Sequence, residues 1–191
     1  EGASFSDLSQ MNPREFDFDP HFYNYGGAYL YPLGGLIFIL WQADILKVSK
    51  DLGQYIEHPE RISQLYYSGR AINFAAFLGT LWLIWLICCR IATRRAAILA
   101  MLAFGLGILP WLMVISGRPH SYAAFWFMAA VFLLLRFMAE RRSRDLVLSA
   151  VVAGLSVGSA LPAGLIALVY LIALLKNIEA RRLVMLTIGV W

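Results

Sequence analysis

The densest chemistry in the chain lies in one stretch, Asp17-Phe-Asp19-Pro-His21-Phe-Tyr-Asn-Tyr25, where carboxylate, imidazole and phenol groups sit among aromatic rings. Asp17 and Asp19 stand two apart and alternate with Phe16 and Phe18. Two carboxylates at that spacing can coordinate a divalent cation, or act as a base and its partner. The same spacing also occurs in acidic loops that only solvate themselves, so both readings stay open. Glu1, Asp7 and Glu15 are further carboxylates of this region, and spacing singles out none of them.

A phosphate-bearing substrate needs cations, and His21, Arg70, Arg118 and His120 are available. Arginine is the side chain best shaped to grip phosphate with two parallel hydrogen bonds. Arg70 and Arg118 also flank apolar runs, where an arginine can simply snorkel to a membrane surface. His120 follows Pro119 at a predicted helix start and suits an interfacial role as well as a ligand role. Cys88 and Cys89 are adjacent within an apolar run, without metal-ligand spacing, and read as packing residues. A divalent cation at the carboxylate pair is the one cofactor these residues leave open.

The elements that must position these groups are membrane helices. Of 191 residues, 60% are hydrophobic and 15% charged, with a mean hydropathy of +0.67. Soluble domains run at roughly 45–50% and 25%. Nine of the twelve acidic residues precede Arg61, the exceptions being Glu140, Asp145 and Glu179. The net charge of +4 is spread over short clusters between apolar runs, a membrane pattern and not a nucleic-acid footprint. The sequence opens on Glu1 and stops at Trp191 within an apolar run, so it is expected to be part of a longer chain.

A spanning helix needs about 20 mostly apolar residues. Residues 71–89 and 96–116 meet that requirement, and 122–135 is a shorter candidate. Residues 146–175 carry no charge but are broken at Gly158-Ser-Ala-Leu-Pro162, which predicts two short helices or one broken hairpin. Another apolar run begins at Leu183. None of the four charge-free spans holds Asp, Glu, Lys, Arg or His, which argues against an ion-coupled transporter.

The loops at 90–95, 136–144 and 176–182 are basic and therefore expected in the cytoplasm. Residues 118–120 and the segment just before Ala71 then lie outside. A hairpin over 146–175 lets the third basic cluster share the cytoplasmic side. Tyr29–Ala43 is apolar, but Pro32, Gly34 and Gly35 weaken it, and it is expected at the interface, not across the membrane. Asp44–Tyr55 predicts an amphipathic helix, and Pro59 a second one over Glu60–Tyr67. The expected fold is all-α: an extracytoplasmic loop with juxtamembrane helices over 1–70, and a polytopic transmembrane bundle over 71–191.

Several stretches resemble one family. Met11-Asn-Pro13, Phe16 to Tyr25, and Tyr29-Leu-Tyr31-Pro32-Leu33 look like the first external loop of the GT-C membrane glycosyltransferases. The similarity is greatest to bacterial members of the dolichyl-phosphate-mannose–protein mannosyltransferase and aminoarabinose transferase group. Gly69-Arg70-Ala71 resembles their arginine-led second transmembrane helix. Pro119-His120-Ser-Tyr-Ala-Ala-Phe-Trp resembles the segment after their third, and Ala153-Gly154-Leu-Ser-Val-Gly158 their fifth.

The resemblance implies an inverting transferase of the bacterial inner membrane. It would move a sugar from a polyprenyl-phosphate-linked donor to a protein, lipid or glycan acceptor on the extracytoplasmic face. Glu1 resembles the second member of an acidic pair that follows the family's first transmembrane helix, which would then lie upstream. Glu1, Asp17 and Asp19 are the implied catalytic carboxylates; His21, Tyr25, Arg70, Arg118 and His120 are the implied substrate contacts. Where relatives carry a His- or Lys-Pro-Pro-Leu stretch, this chain has Tyr25 to Leu33, so His21, Arg70 or Arg118 would have to supply the cation. The competing readings are a non-catalytic subunit of the same fold and a lipid flippase or transporter, the latter disfavoured by the charge-free spans.

Overall fold

The computed structural model describes residues 5, 8–11, 19, 26–49, 55 and 57–176. Among these residues the protein is all-helical. The helices are α1 (Gly27–Gln42), α2 (Pro59–Ile91), α3 (Arg94–Gly105), α4 (Ile108–Ile115), α5 (His120–Glu140), α6 (Ser143–Val157) and α7 (Ile166–Lys176), with a 3₁₀ turn over Leu161–Leu165 before α7. Helices α2 and α5 are long and apolar enough to cross a membrane, and α3 with α4 makes a third if the bent pair is one span. Large apolar side chains face outward, as Leu106 at 80% and Ile108 at 77% exposure illustrate. Water would not tolerate such a surface, whereas lipid tails would.

Each departure from the expected boundaries has a local cause. Asp44–Ser49 is turn, bend and irregular chain, not the start of an amphipathic helix. Helix α1 ends in a Schellman closure: Ile45 N–H donates to Leu40 O at 3.0 Å and Asp44 N–H to Trp41 O at 3.0 Å. Asp44 takes the left-handed conformation this requires, at φ 57°, which a short polar side chain tolerates. The remainder of that predicted helix, apart from Tyr55, lies outside the described residues.

Pro59 does start a helix, but the helix does not stop at Tyr67. It runs 33 residues, about 50 Å, through Ser68 and Gly69 into the predicted span. Ser68 donates back to Leu65 O at 2.6 Å and so needs no break to satisfy its hydroxyl.

Residues 96–116 are not one straight span, because α3 and α4 meet at 52°. Pro110 lacks an N–H and its ring would collide with the carbonyl of Leu106 in a continuous helix, so the break falls at Leu106-Gly107. Trp111 Nε1 donates to Gly105 O at 2.7 Å and satisfies one carbonyl freed by the bend. The short 122–135 candidate is in fact a 21-residue helix, α5.

Helix α5 is the centre of the bundle and packs on α6, α2 and the 3₁₀ turn. The α5–α6 contact is antiparallel and built from small residues. Ser149 donates to Ala130 O at 2.7 Å and Ser156 to Ala123 O at 2.8 Å. Both serines are fully buried. Small side chains let the backbones approach, and interhelical hydrogen bonds supply attraction where lipid removes the hydrophobic drive.

The 146–175 stretch folds as a hairpin. Leu146 and Ala173 share a core cluster, Ala153 and Ile166 another, and Ser149 meets the Tyr170 hydroxyl. Helix α7 therefore runs back along α6. At Gly79, an added Cβ would sit 2.6 Å from the Phe125 ring, so glycine is what lets α2 lie against α5.

Candidate functional site

At the end of the bundle where α1 and α5 begin, a polar node ties three elements together. The Tyr29 hydroxyl, on α1, donates to Gly117 O at 3.0 Å and accepts from Asn73 Nδ2, on α2, at 3.3 Å. Tyr29 and Asn73 are both fully buried. Gly117 sits in the turn between α4 and α5 at φ 63°, a conformation glycine adopts without strain. The aromatic side of the node continues edge to face from Tyr29 to Tyr122 (5.6 Å between ring centres) and from Tyr122 to Trp126 (5.8 Å).

Two arginines and a histidine lie next to the node. Arg70 precedes Asn73 by one helical turn on the same face of α2, and its guanidinium lies 6.0 Å from the Tyr67 ring centre. Arg118 follows Gly117 directly and is exposed, Pro119 is buried, and His120 opens α5. Arg70, Arg118 and His120, three of the five expected substrate contacts, thus gather at one end of the bundle. His120 lies at a helix N-terminus, whose free N–H groups add positive potential.

Below His120 the character changes. His120 shares a cleft of about 450 Å³ with Thr80 and Ile84 of α2, Phe104 of α3, Ala123 and Phe127 of α5, and Pro162 of the 3₁₀ turn. Its walls are almost wholly apolar, because Thr80 turns its hydroxyl back onto Ala76 O at 2.9 Å. The wall formed by the 3₁₀ turn is anchored where α1 starts: Ala28 N–H donates to Gly158 O at 3.2 Å. Gly26 packs so closely there that a Cβ would overlap the Gly158 carbonyl oxygen. The arrangement is amphiphilic: an imidazole, with Arg118 two residues before it, borders a hydrocarbon-lined cleft.

Asp19 is half-buried. Glu1, Asp17, His21 and Tyr25 lie outside the described residues. Among the described residues no group of three His, Cys, Asp or Glu side chains could hold a metal ion. Of the expected constellation, the described structure therefore covers Arg70, Arg118, His120 and Asp19.

Sequence reasoning missed Tyr29, Asn73 and Trp126. Asn73 Oδ1 and Trp126 Nε1 are buried without hydrogen-bond partners, and such groups mark places that a ligand or water completes. The signal was present for Asn73, since a carboxamide inside an apolar span is as informative as a charge. Ser116-Gly117 before Arg118-Pro119 was likewise a readable turn signal. No family model, curated protein or solved structure matches the chain.

Proposed function

We propose that this chain is part of a membrane transferase that takes its sugar from a polyprenyl-phosphate-linked donor. The observation that carries the reading is the apolar cleft that His120 lines, with the exposed Arg118 two residues before it. A polyprenyl phosphate has the matching form, an anionic head on a branched hydrocarbon tail. Arg118, with Arg70 beside the same node, would neutralise the phosphate as it leaves the sugar, and such fixed charge placed where charge develops is a large part of catalysis. Asp17, Asp19 and Glu1 are the candidates for taking the acceptor proton.

The basic turns lie at the opposite end of α2 and α5 from the Tyr29 node, which by the positive-inside rule supports a site outside the cytoplasm. Helix α1, about 24 Å long, falls short of the roughly 30 Å hydrocarbon core and would lie at the interface, exposing Phe38, Ile39 and Trp41 there.

The test is turnover of a radiolabelled polyprenyl-phosphate sugar by the purified full-length protein. Arg118→Gln should raise the donor KM by about tenfold, the loss of one charge-assisted hydrogen bond. Asp17→Asn and Asp19→Asn should lower kcat with donor binding retained. Donor binding without any sugar release would favour the non-catalytic subunit.

A further inference from the structure

We infer that the arginine-rich end of the bundle, where the 90–95 and 136–144 turns meet, binds the phosphate of an anionic phospholipid headgroup. This site is at the other end of α2 and α5 from the Tyr29 node, shares no residue with the cleft, and does not depend on the transferase reading. The fold, and not the sequence, makes it. Arg90 closes α2 and Glu140 closes α5, fifty positions apart, and they meet at 3.4 Å. Arg90 also lies over the Phe132 ring, 5.2 Å from its centre.

The carboxylates at this end are already engaged. Glu140 is shared by Arg90, by Arg142 at 3.2 Å and by Arg136 at 3.9 Å. Asp145 is buried and held by Arg136 at 3.5 Å. Around them stand Arg94, Arg95, Arg141 and Arg144, all exposed. Among the described residues, these two adjoining turns carry seven arginines and two carboxylates. Helix α3 sharpens the excess. It opens with Arg94 and Arg95 and has no acid in its first turn, the reverse of what the helix dipole favours. An anion held there would offset that repulsion.

Depth and surroundings favour a lipid over a soluble anion. Helix α5 is about 31 Å long, close to the hydrocarbon thickness, so its Glu140 end reaches the headgroup layer when His120 lies at the opposite face. Ile91, Leu99 and Val147 flank the arginines with more than half of their surface exposed. A phosphate between the arginines could therefore extend its acyl chains along these side chains. Clustered arginines beside a transmembrane helix end attract anionic lipid with about fivefold in affinity per charge.

The experiment compares lipid binding to the delipidated full chain in detergent by native mass spectrometry. The probes are dioleoyl phosphatidylglycerol, dioleoyl phosphatidylcholine and inorganic phosphate. The intact protein should retain the glycerol lipid at least tenfold better than the choline lipid. R94Q/R95Q/R144Q, which alters only exposed side chains, should reduce that preference by up to about a hundredfold. Equal retention of both lipids, or full preference in the folded triple variant, overturns the inference. So does displacement of the glycerol lipid by millimolar phosphate, which would make this a site for soluble anions. If the triple variant fails to fold, the single variants decide the point, each expected to lose a few-fold and the site being disproved if none does.

Discussion

Tyr29→Phe removes one oxygen from the node that joins α1, α2 and the Gly117 turn, and its effect can be worked through. Two bonds go: the donation to Gly117 O at 3.0 Å and the acceptance from Asn73 Nδ2 at 3.3 Å. In water-soluble proteins a buried group left unpaired costs about 1–3 kcal/mol. Interhelical bonds measured within membranes average about 0.6 and reach about 1.7 kcal/mol. Two such bonds, with Tyr29 and Asn73 both fully buried, put the loss at about 1–3 kcal/mol. The assay is unfolding of the detergent-solubilised protein by dodecyl sulfate, followed by helical circular dichroism.

Asn73 sharpens this prediction because its Oδ1 already lacks a partner, so Tyr29→Phe leaves its whole carboxamide stranded from Tyr29. Replacing Asn73 by Leu in the same chain removes the stranded group, and the double variant should recover most of the loss. Donor affinity should stay impaired in the double variant, because the Gly117 turn that carries Arg118 has lost its tether. Tyr29→Phe at wild-type stability, or a double variant whose two effects simply add, would refute the node as a buried hydrogen-bonded junction.

Further substitutions test other parts of the structure by the same unfolding measurement. Gly79→Leu should destabilise by about 1–3 kcal/mol through overpacking against Phe125, and Phe125→Ala should relieve part of it. Asp145→Asn should cost about 3 kcal/mol, the low end for a broken buried pair because Arg136 keeps 27% exposure; Arg136→Met with Asp145→Leu should restore much of it. Ser149→Ala and Ser156→Ala should each cost about 0.6–1.7 kcal/mol. Being two helical turns apart, their effects should be additive within about 0.5 kcal/mol, and a strongly non-additive pair would contradict independent hydrogen bonds.

The readable parts of the fold were those set by local chemistry. Pro59 starts a helix because its missing N–H is not needed in a first turn. Gly158 to Pro162 breaks 146–175 because a proline and two glycines flank it, and the reversal into a hairpin follows. The misreadings came where distant contacts overruled local signals. Ser68-Gly69 looked like a boundary, yet Gly69 is buried where an added Cβ would come within 4 Å of the Tyr29 hydroxyl and the Phe5 ring, and the helix passes straight through. Asp44 looked like a helix start and is the residue that closes α1. Pro110 bends 96–116 although the run around it is apolar enough to span.

From the sequence alone one could read helices, some of them long and apolar enough to cross a membrane, with basic charge on alternate turns. Hydropathy and charge sum along a chain, and no neighbour in space can reverse them. Arg70, Arg118 and His120 were identifiable by type, but their convergence was not. Only the tertiary structure decides that Tyr29 reaches Gly117 across 88 positions, or that Arg90 meets Glu140. Such pairings depend on which faces of which helices touch. Glycines, serines and alanines set those faces through close backbone approach, and in the sequence they look like any other small residues.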